Sequence, residues 1–290
     1  RNPVKMPPQD SLSMPASSAP NHQDCARRWA AHSLPGFIES FGLEKIQQIG
    51  ALIGDCCHLG SAYMLCQKAE ADQWSLDEAV ELAYKKLDEA FKKKVKTDDI
   101  TDGKGTAKIQ IRSMLNEFSR SLMPKVRPRH VELSLIYQYS EYTKVPCQID
   151  LIEEEGYIAT IHDHKFGSHC GPYFSQFGLY KCGLEKKKWF KGEVGKLLLN
   201  FIERPRVKKS GWKQAELDQI NLDLDACVRA GLKQVEEAER ETKLFRETGD
   251  LWSFNPNPNS KYCDQRLCRA WGSGACDQWI DMKGVLESEQ

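Results

Sequence analysis

Val145-Pro-Cys-Gln-Ile-Asp-Leu-Ile152, Glu153-Glu-Glu-Gly156 and Tyr157-Ile-Ala-Thr-Ile-His-Asp-His-Lys-Phe166 read in succession as strand, turn and strand. The two outer runs are rich in β-branched and aromatic residues, and acidic residues with Gly156 separate them. Side chains alternate faces along a strand, so Ile161, Asp163 and Lys165 share one face while Thr160, His162 and His164 share the other. Asp150 can join Asp163 and Lys165 from the paired strand. Thirteen residues after Asp163 comes Gln176-Phe-Gly-Leu-Tyr180, with its polar ends at i and i+4 on one helix face.

These residue types in this order have a chemical use. Hard oxygen ligands suit Mg²⁺ or Mn²⁺, held by one or two carboxylates plus water and a substrate phosphate. Such a metal polarises a phosphoryl oxygen and lowers the pKa of bound water. A lysine beside that water can position it and offset charge building on the phosphate. Gln176 and Tyr180 can contact a nucleic-acid backbone or brace the lysine. A lone D-x-K triplet is most often a pair of solvated charges at a strand end, whereas the ordered set is much more specific. The pattern points to metal-assisted cleavage of a phosphodiester.

The set resembles the PD-(D/E)xK nuclease superfamily and, within it, the RecB-like exonucleases, over roughly residues 20 to 280. The first acid matches Asp150, the second acid and lysine match Asp163 and Lys165, and the branch's Q-x-x-x-Y helix matches Gln176 and Tyr180. Gly54-Asp-Cys-Cys-His58 fits the upstream G-x-x-x-H. The resemblance implies a metal held by His58, Asp150, Asp163 and the His164 carbonyl. It also implies a restriction-endonuclease-like α/β fold: a central mixed sheet flanked by helices, a helical insertion and a Cys-rich C-terminal segment. DNA is the implied substrate, trimmed from its ends in recombination, repair or phage DNA metabolism, with a helicase or recombinase as partner. Departures are Cys147 where glycine often precedes the first acid, His164 between acid and lysine, and Phe166 where threonine often follows. None removes a ligand. Two rivals stand beside this reading: an endonuclease of the same fold, and a non-catalytic, zinc-clasped DNA-binding protein.

Eleven cysteines are many for 290 residues, and without a secretory signal they suggest metal ligation rather than a disulfide framework. The resemblance singles out Cys25 near the N-terminus and Cys263, Cys268 and Cys276 near the C-terminus as ligands of a [4Fe–4S] cluster that staples the chain's ends. Their spacing, C-x4-C-x7-C, exceeds the usual C-x2-C-x5-C by two in each gap. Zinc, or no metal, stays open.

Hydrophobic content of 40%, charged content of 28% and zero net charge describe a globular chain without a strong global attraction to nucleic acid. A local basic patch suffices for a nuclease. Lys92–Lys96, Lys125–Arg129, Lys186–Lys191 and Arg204–Lys209 are candidates, and the third, with Trp189 and Phe190, best suits stacking on unpaired bases. No apolar run approaches the ~20 residues of a membrane span, and the N-terminal stretch has no apolar signal segment. A cytoplasmic setting is expected, including a host cytoplasm for a phage-encoded enzyme.

Along the chain, residues 1–22 are Pro-, Ser- and Asn-rich and read as a disordered tail before a single domain over 23–290. Residues 68–125 read as a helical subdomain, with Ser75-Leu-Asp-Glu78 a capping box for Ala79–Phe91. Val131–Tyr137 reads as a strand on which Glu132 is an exposed residue or an extra acid near the site. Lys196–Ile202 reads as a core strand. Trp212 to Glu247 reads as one long helix with Leu217, Ile220, Leu224, Val228, Leu232 and Val235 on related faces. Residues 255–290 form the Cys-rich clasp.

Overall fold

The computed structural model describes residues 11–44, 47–189, 191–208, 211–264 and 267–276. In chain order the strands are β1 (Leu12–Ser13), β2 (Gln47–Gln48), β3 (Val95–Lys96), β4 (His130–Gln138), β5 (Thr143–Glu155), β6 (Ile158–Gly167), β7 (Glu193–Glu203), β8 (Val207–Lys208), β9 (Gly211–Trp212) and β10 (Leu217–Leu222). The helices are α1 (Ala19–Asp24), α2 (Ala26–Ser33), α3 (Pro35–Ser40), α4 (Ile49–Ala71), α5 (Leu76–Ala90), α6 (Lys104–Ser121), α7 (Phe174–Lys187) and α8 (Leu224–Thr248).

The main sheet runs β1-β5-β6-β7-β10, with β4 also paired to β5. β4, β5 and β6 are antiparallel neighbours, β6 and β7 are parallel across the α7 crossover, and β10 returns antiparallel on β7. The β5–β6 ladder stops at Leu151↔His162. Lys144 pairs with both Gln138 of β4 and Ser13 of β1. Since β4 holds one edge of β5, β1 must lie on the other edge, which β6 has left. That edge is therefore open between Lys144 and Leu151, and Asp150 sits in the opening.

Helices cover both faces. On one face α7, α8 and the N-terminal helices bury Trp29, Phe37, Phe177, Phe245 and Phe254 against the inner sides of β5–β7. On the other, α4, α5 and α6 bury Ile53, Met64, Leu87, Ile111, Leu115 and Phe118 against Leu151 and Phe166. Each fully buried Leu or Phe contributes about 1.5–3 kcal/mol, so two separate cores clamp the sheet and fix where its strands part. At Gly178 an added Cβ would stand 1.9 Å from the Cys227 carbonyl oxygen, so only glycine lets α7 and α8 pack this closely.

Residues 11–22 depart from the expected disordered tail. Leu12 and Ser13 pair with Thr143 and Lys144, and Leu12, Met14, Ala16 and Ala19 are buried. Four apolar residues spaced among Ser and Pro suffice to anchor the segment, and composition averaged over the whole stretch hid them. Residues 1–10 lie outside the described residues. The expected helix from Trp212 also differs: Leu217–Leu222 is a strand, and the helix begins only at Leu224. Asp223 caps it, its side chain accepting from the Ala226 N–H. Leu217 and Ile220 fit a helical stripe, but Ile220 and Leu222 equally fit strand alternation, and pairing with β7 decides for the strand. Half of the expected capping box forms: the Ser75 hydroxyl accepts from the Glu78 N–H, whereas the Ser75 N–H donates to Gln67 Oε1, and the helix runs from Leu76 to Ala90. α4 is long and apolar enough to cross a membrane by length and composition, yet half of it packs inside this fold and it carries Asp55 and His58.

Candidate active site

The opening in the sheet is the floor of a cleft lined by Asp55, His58, Lys86, Glu132, Asp150, Asp163, Lys165, Gln176 and Tyr180, among others. Strand β6 delivers Asp163 and Lys165, and Lys165 Nζ lies 2.6 Å from Asp163 Oδ2. The alternation read from the sequence puts both on the α7 face. From α7, Gln176 Nε2 donates to Asp163 Oδ1 at 2.7 Å and to the Tyr180 hydroxyl at 2.5 Å. That hydroxyl in turn donates to Asp163 Oδ1 at 3.3 Å. Asp163, 1% exposed, is thus held on both oxygens.

Strand β5 delivers Asp150, whose Oδ2 accepts from the His164 backbone N–H at 2.6 Å and lies 3.6 Å from His58 Nδ1. His58 arrives from the opposite face. Gly54 stands one turn earlier on α4, where an added Cβ would come within 3.2 Å of the Phe166 carbonyl oxygen. A bare glycine lets α4 approach β6 this closely, and the i, i+4 spacing then aims His58 into the cleft. Its ring packs edge-on against Phe166.

Glu132 of β4 completes the cluster. The ligand atoms of His58, Glu132 and Asp150 all lie within 4.8 Å of one another. In the β4–β5 register Glu132 stands opposite Asp150, between the pairs Val131↔Leu151 and Leu133↔Ile149. It does so with φ of 52°, a left-handed conformation that is costly for a non-glycine residue in a strand. Gln148 Nε2 donates to its Oε2 at 2.5 Å. The exposed-strand reading of Glu132 is thereby corrected: it is half-buried and faces the cleft. The sequence signal that could have found it is register, since a hairpin closing between Gln138 and Thr143 sets Glu132 beside Asp150. Asp163 stands outside this three-residue group, engaged by Lys165, Gln176 and Tyr180.

Electrostatics follow from burial. Desolvation, then the neighbouring Asp163, hold the Asp150 carboxyl well above the ordinary carboxylate range. Desolvation, with help from Asp163, also raises Glu132. Burial, then Lys165 and Lys86, push His58 down to about 3, so its ring is neutral at pH 7 with a free lone pair. Burial alone would lower Lys165, but Asp163 and Asp150 outweigh it and the ammonium is reinforced. Close carboxylates that resist joint ionisation, beside a neutral imidazole, match the donor set of a hard divalent cation.

His162 and His164 lie behind the strand. Asn200 Nδ2 donates to both Nδ1 atoms, at 3.2 and 3.1 Å, and the His162 Nε2 proton goes to Glu153 Oε2 at 2.6 Å. The His164 ring packs on Phe118. Both rings serve packing, leaving only the main chain of His164 near Asp150. Among the described residues of the Lys186–Lys191 group, none lines the cleft. Lys186 donates to the Gln138 carbonyl and sits over Tyr137, while Trp189 packs on His130 and is 46% exposed. Phe190 lies outside the described residues.

Outside this cleft, Cys25, Cys263, Cys268 and Cys276 line one small cavity. Cys25 caps α2, its Sγ accepting from the Arg28 and Asn257 backbone N–H groups at 3.4 Å each. Buried Arg27 ties the C-terminal segment down, donating to the carbonyls of Leu251, Phe254 and Ala275. Four thiols around one cavity suit a four-thiolate metal site. Residues 265–266 of the clasp, and its end at 277–290, lie outside the described residues.

A splayed antiparallel pair carrying two acids and a lysine, crossed by a helix with Gln and Tyr, defines a nuclease core, and the comparison with known families agrees. The PD-(D/E)XK nuclease superfamily profile matches residues 13–272, and the chain belongs to that superfamily. Its members use Mg²⁺ or Mn²⁺, and the donor set of the cleft fits these ions. No curated protein matches the chain. Among solved structures it resembles a protein described as a "Putative exonuclease" from Eubacterium rectale, at 11% identity over 88% of this chain and 87% of the other, with TM-score 0.49. It also resembles a protein designated SSO0001, at 12% identity over 72% and 81%, with TM-score 0.29.

Proposed function

We propose that this protein is a metal-dependent deoxyribonuclease that trims DNA ends. The observation that carries the proposal is the convergence, in one cleft, of the Lys165–Asp163 pair with the His58–Glu132–Asp150 cluster. His58, Asp150, Asp163 and the His164 carbonyl, with Glu132 added, would hold Mg²⁺ or Mn²⁺. The bound metal supplies Lewis-acid activation of the phosphate and of water. Lys165, fixed by Asp163, orients the attacking water and offsets charge as the phosphorus–oxygen bond to the leaving strand breaks. Gln176 and Tyr180 hold Asp163 in place.

Trimming from ends, rather than internal cutting, is supported by the Gln176–Tyr180 helix and the cysteine quartet, both features that resemble RecB-like exonucleases. The quartet, which lines one cavity, would hold a [4Fe–4S] cluster that joins the chain's two ends; zinc is the rival ligand. The decisive assay compares linear with closed circular DNA, in Mn²⁺ and in chelator. Mn²⁺-dependent loss of linear DNA alone supports the proposal. Nicking of the circle would reassign the enzyme as an endonuclease, and binding without cleavage would leave a DNA-binding protein.

A further inference from the structure

We infer that Lys86, on the inserted helix α5, binds a phosphate of the nucleic-acid strand lying in the cleft. The inference rests on the nuclease reading of that cleft and names a substrate contact outside the acid–lysine signature. The cleft carries four carboxylates, Asp55, Glu132, Asp150 and Asp163, but two lysines, Lys86 and Lys165. A polyanionic strand entering it needs cations beyond those that offset the acids themselves. Lys165 is committed to Asp163 at 2.6 Å. Lys86 is exposed, and its ammonium rests on the Asp55 carbonyl oxygen at 2.9 Å, a neutral acceptor that a phosphate would outcompete.

Its placement follows from the helix. Ala79, Ala83 and Leu87 form the buried stripe of α5. Lys86 lies seven residues after Ala79 and three after Ala83, at the border of that stripe facing α4. From there it lines the same cleft as His58, Glu132 and Asp150. Other lysines of the insertion are used differently: Lys104 and Lys108 pair with Asp88, and Lys92 pairs with Glu89. Lys85, one residue back, is exposed and absent from the cleft lining, which makes it the matched control.

The test measures binding of end-labelled linear DNA by fluorescence anisotropy across a salt series in chelator, alongside hydrolysis in Mn²⁺. Lys86→Ala should weaken binding about 3- to 10-fold and reduce the slope of log affinity against log salt by about 0.7–0.9, the signature of one lost phosphate contact. KM should rise while kcat at saturating DNA stays within about twofold. Mn²⁺ affinity, read by electron paramagnetic resonance, should be unchanged, and Lys86→Arg should retain binding. Lys85→Ala should match wild type. If Lys86→Ala and Lys85→Ala behave alike, the inference is overturned even though the enzyme cuts DNA. If Lys86→Ala loses binding in a chain that cuts none, the inference stands and the nuclease reading falls.

Discussion

The Asp150 carboxylate accepts a hydrogen bond from the His164 backbone N–H at 2.6 Å, one step beyond the last β5–β6 ladder pair. A side chain thus takes over from the main-chain ladder where the strands part. The splay that opens the cleft is fastened by one of the residues that would ligate the metal there.

The first prediction concerns Asp150→Asn, which keeps the oxygen that accepts from His164. Burial and Asp163 raise the Asp150 carboxyl in the folded chain. A raised carboxyl favours the protonated form, so its stabilising contribution is full below the unfolded value of ~3.9 and is lost as pH rises through the folded pKa. At pH 7 in chelator, Asp150→Asn should melt above wild type, by about 2–4 °C per kcal/mol recovered. Near pH 4 the two should converge. Mn²⁺ should raise the melting temperature of wild type and leave the variant unmoved. A variant melting below wild type at pH 7 would contradict the assignment of a strained, metal-ready carboxylate.

Glu132→Gly tests the left-handed residue in β4. Glycine accepts φ of 52° without penalty, so about 1 kcal/mol of strain should be recovered in the metal-free protein. Glu132→Ala keeps most of the strain. Both should lose Mn²⁺ affinity by roughly tenfold, as expected when a site gives up one carboxylate ligand. Calorimetric titration with Mn²⁺ and melting in chelator separate the two effects. Equal stability of Gly and Ala variants would mean that the backbone is not strained by holding Glu132 in place.

The central hairpin, its facing residues and the Gln176–Tyr180 helix were legible because period-two alternation and a tight acidic turn leave one arrangement that buries Ile149 and Ile161 on the α7 side. Glu132 was not, because its role depends on register across a second hairpin and on a backbone angle that its residue type does not announce. Leu217–Leu222 misled because its apolar spacing suits either period, and only the free edge of β7 selects the strand. Leu12 and Met14 were masked by neighbouring Ser and Pro. Lys86 reads in sequence as one more charge on a solvated helix face, and only the docking of α5 against α4 brings it to the cleft.

Removing the lysine or its partner should end catalysis by different routes. Asp163→Ala and Lys165→Ala should each abolish Mg²⁺-dependent hydrolysis of linear DNA, a loss of at least about 10²-fold in kcat. Lys165→Ala also strands the buried Asp163 charge and should cost about 3–5 kcal/mol of stability. Tyr180→Phe leaves the Gln176–Asp163 bond intact and should cost about 1 kcal/mol with a smaller loss of rate. Wild-type activity in Lys165→Ala would remove the lysine from the chemistry.

The cysteine quartet gives the last prediction. Burial raises Cys276 to about 11 and also raises Cys268, so metal loading must displace protons and should strengthen with pH. Anaerobically purified protein should contain about four irons per chain and absorb in the visible, as thiolate-ligated clusters do. Cys263→Ser or Cys276→Ser should bleach that absorbance. Because Arg27, Asn257 and Ser260 also tie the ends together through hydrogen bonds to Leu251, Phe254 and Asp24, the variants should stay folded, with a lower melting temperature rather than collapse. Stoichiometric zinc with no iron would overturn the cluster. A bleached variant melting like wild type would show that the hydrogen-bonded clasp, not the metal, holds the two ends of the chain beside the nuclease core.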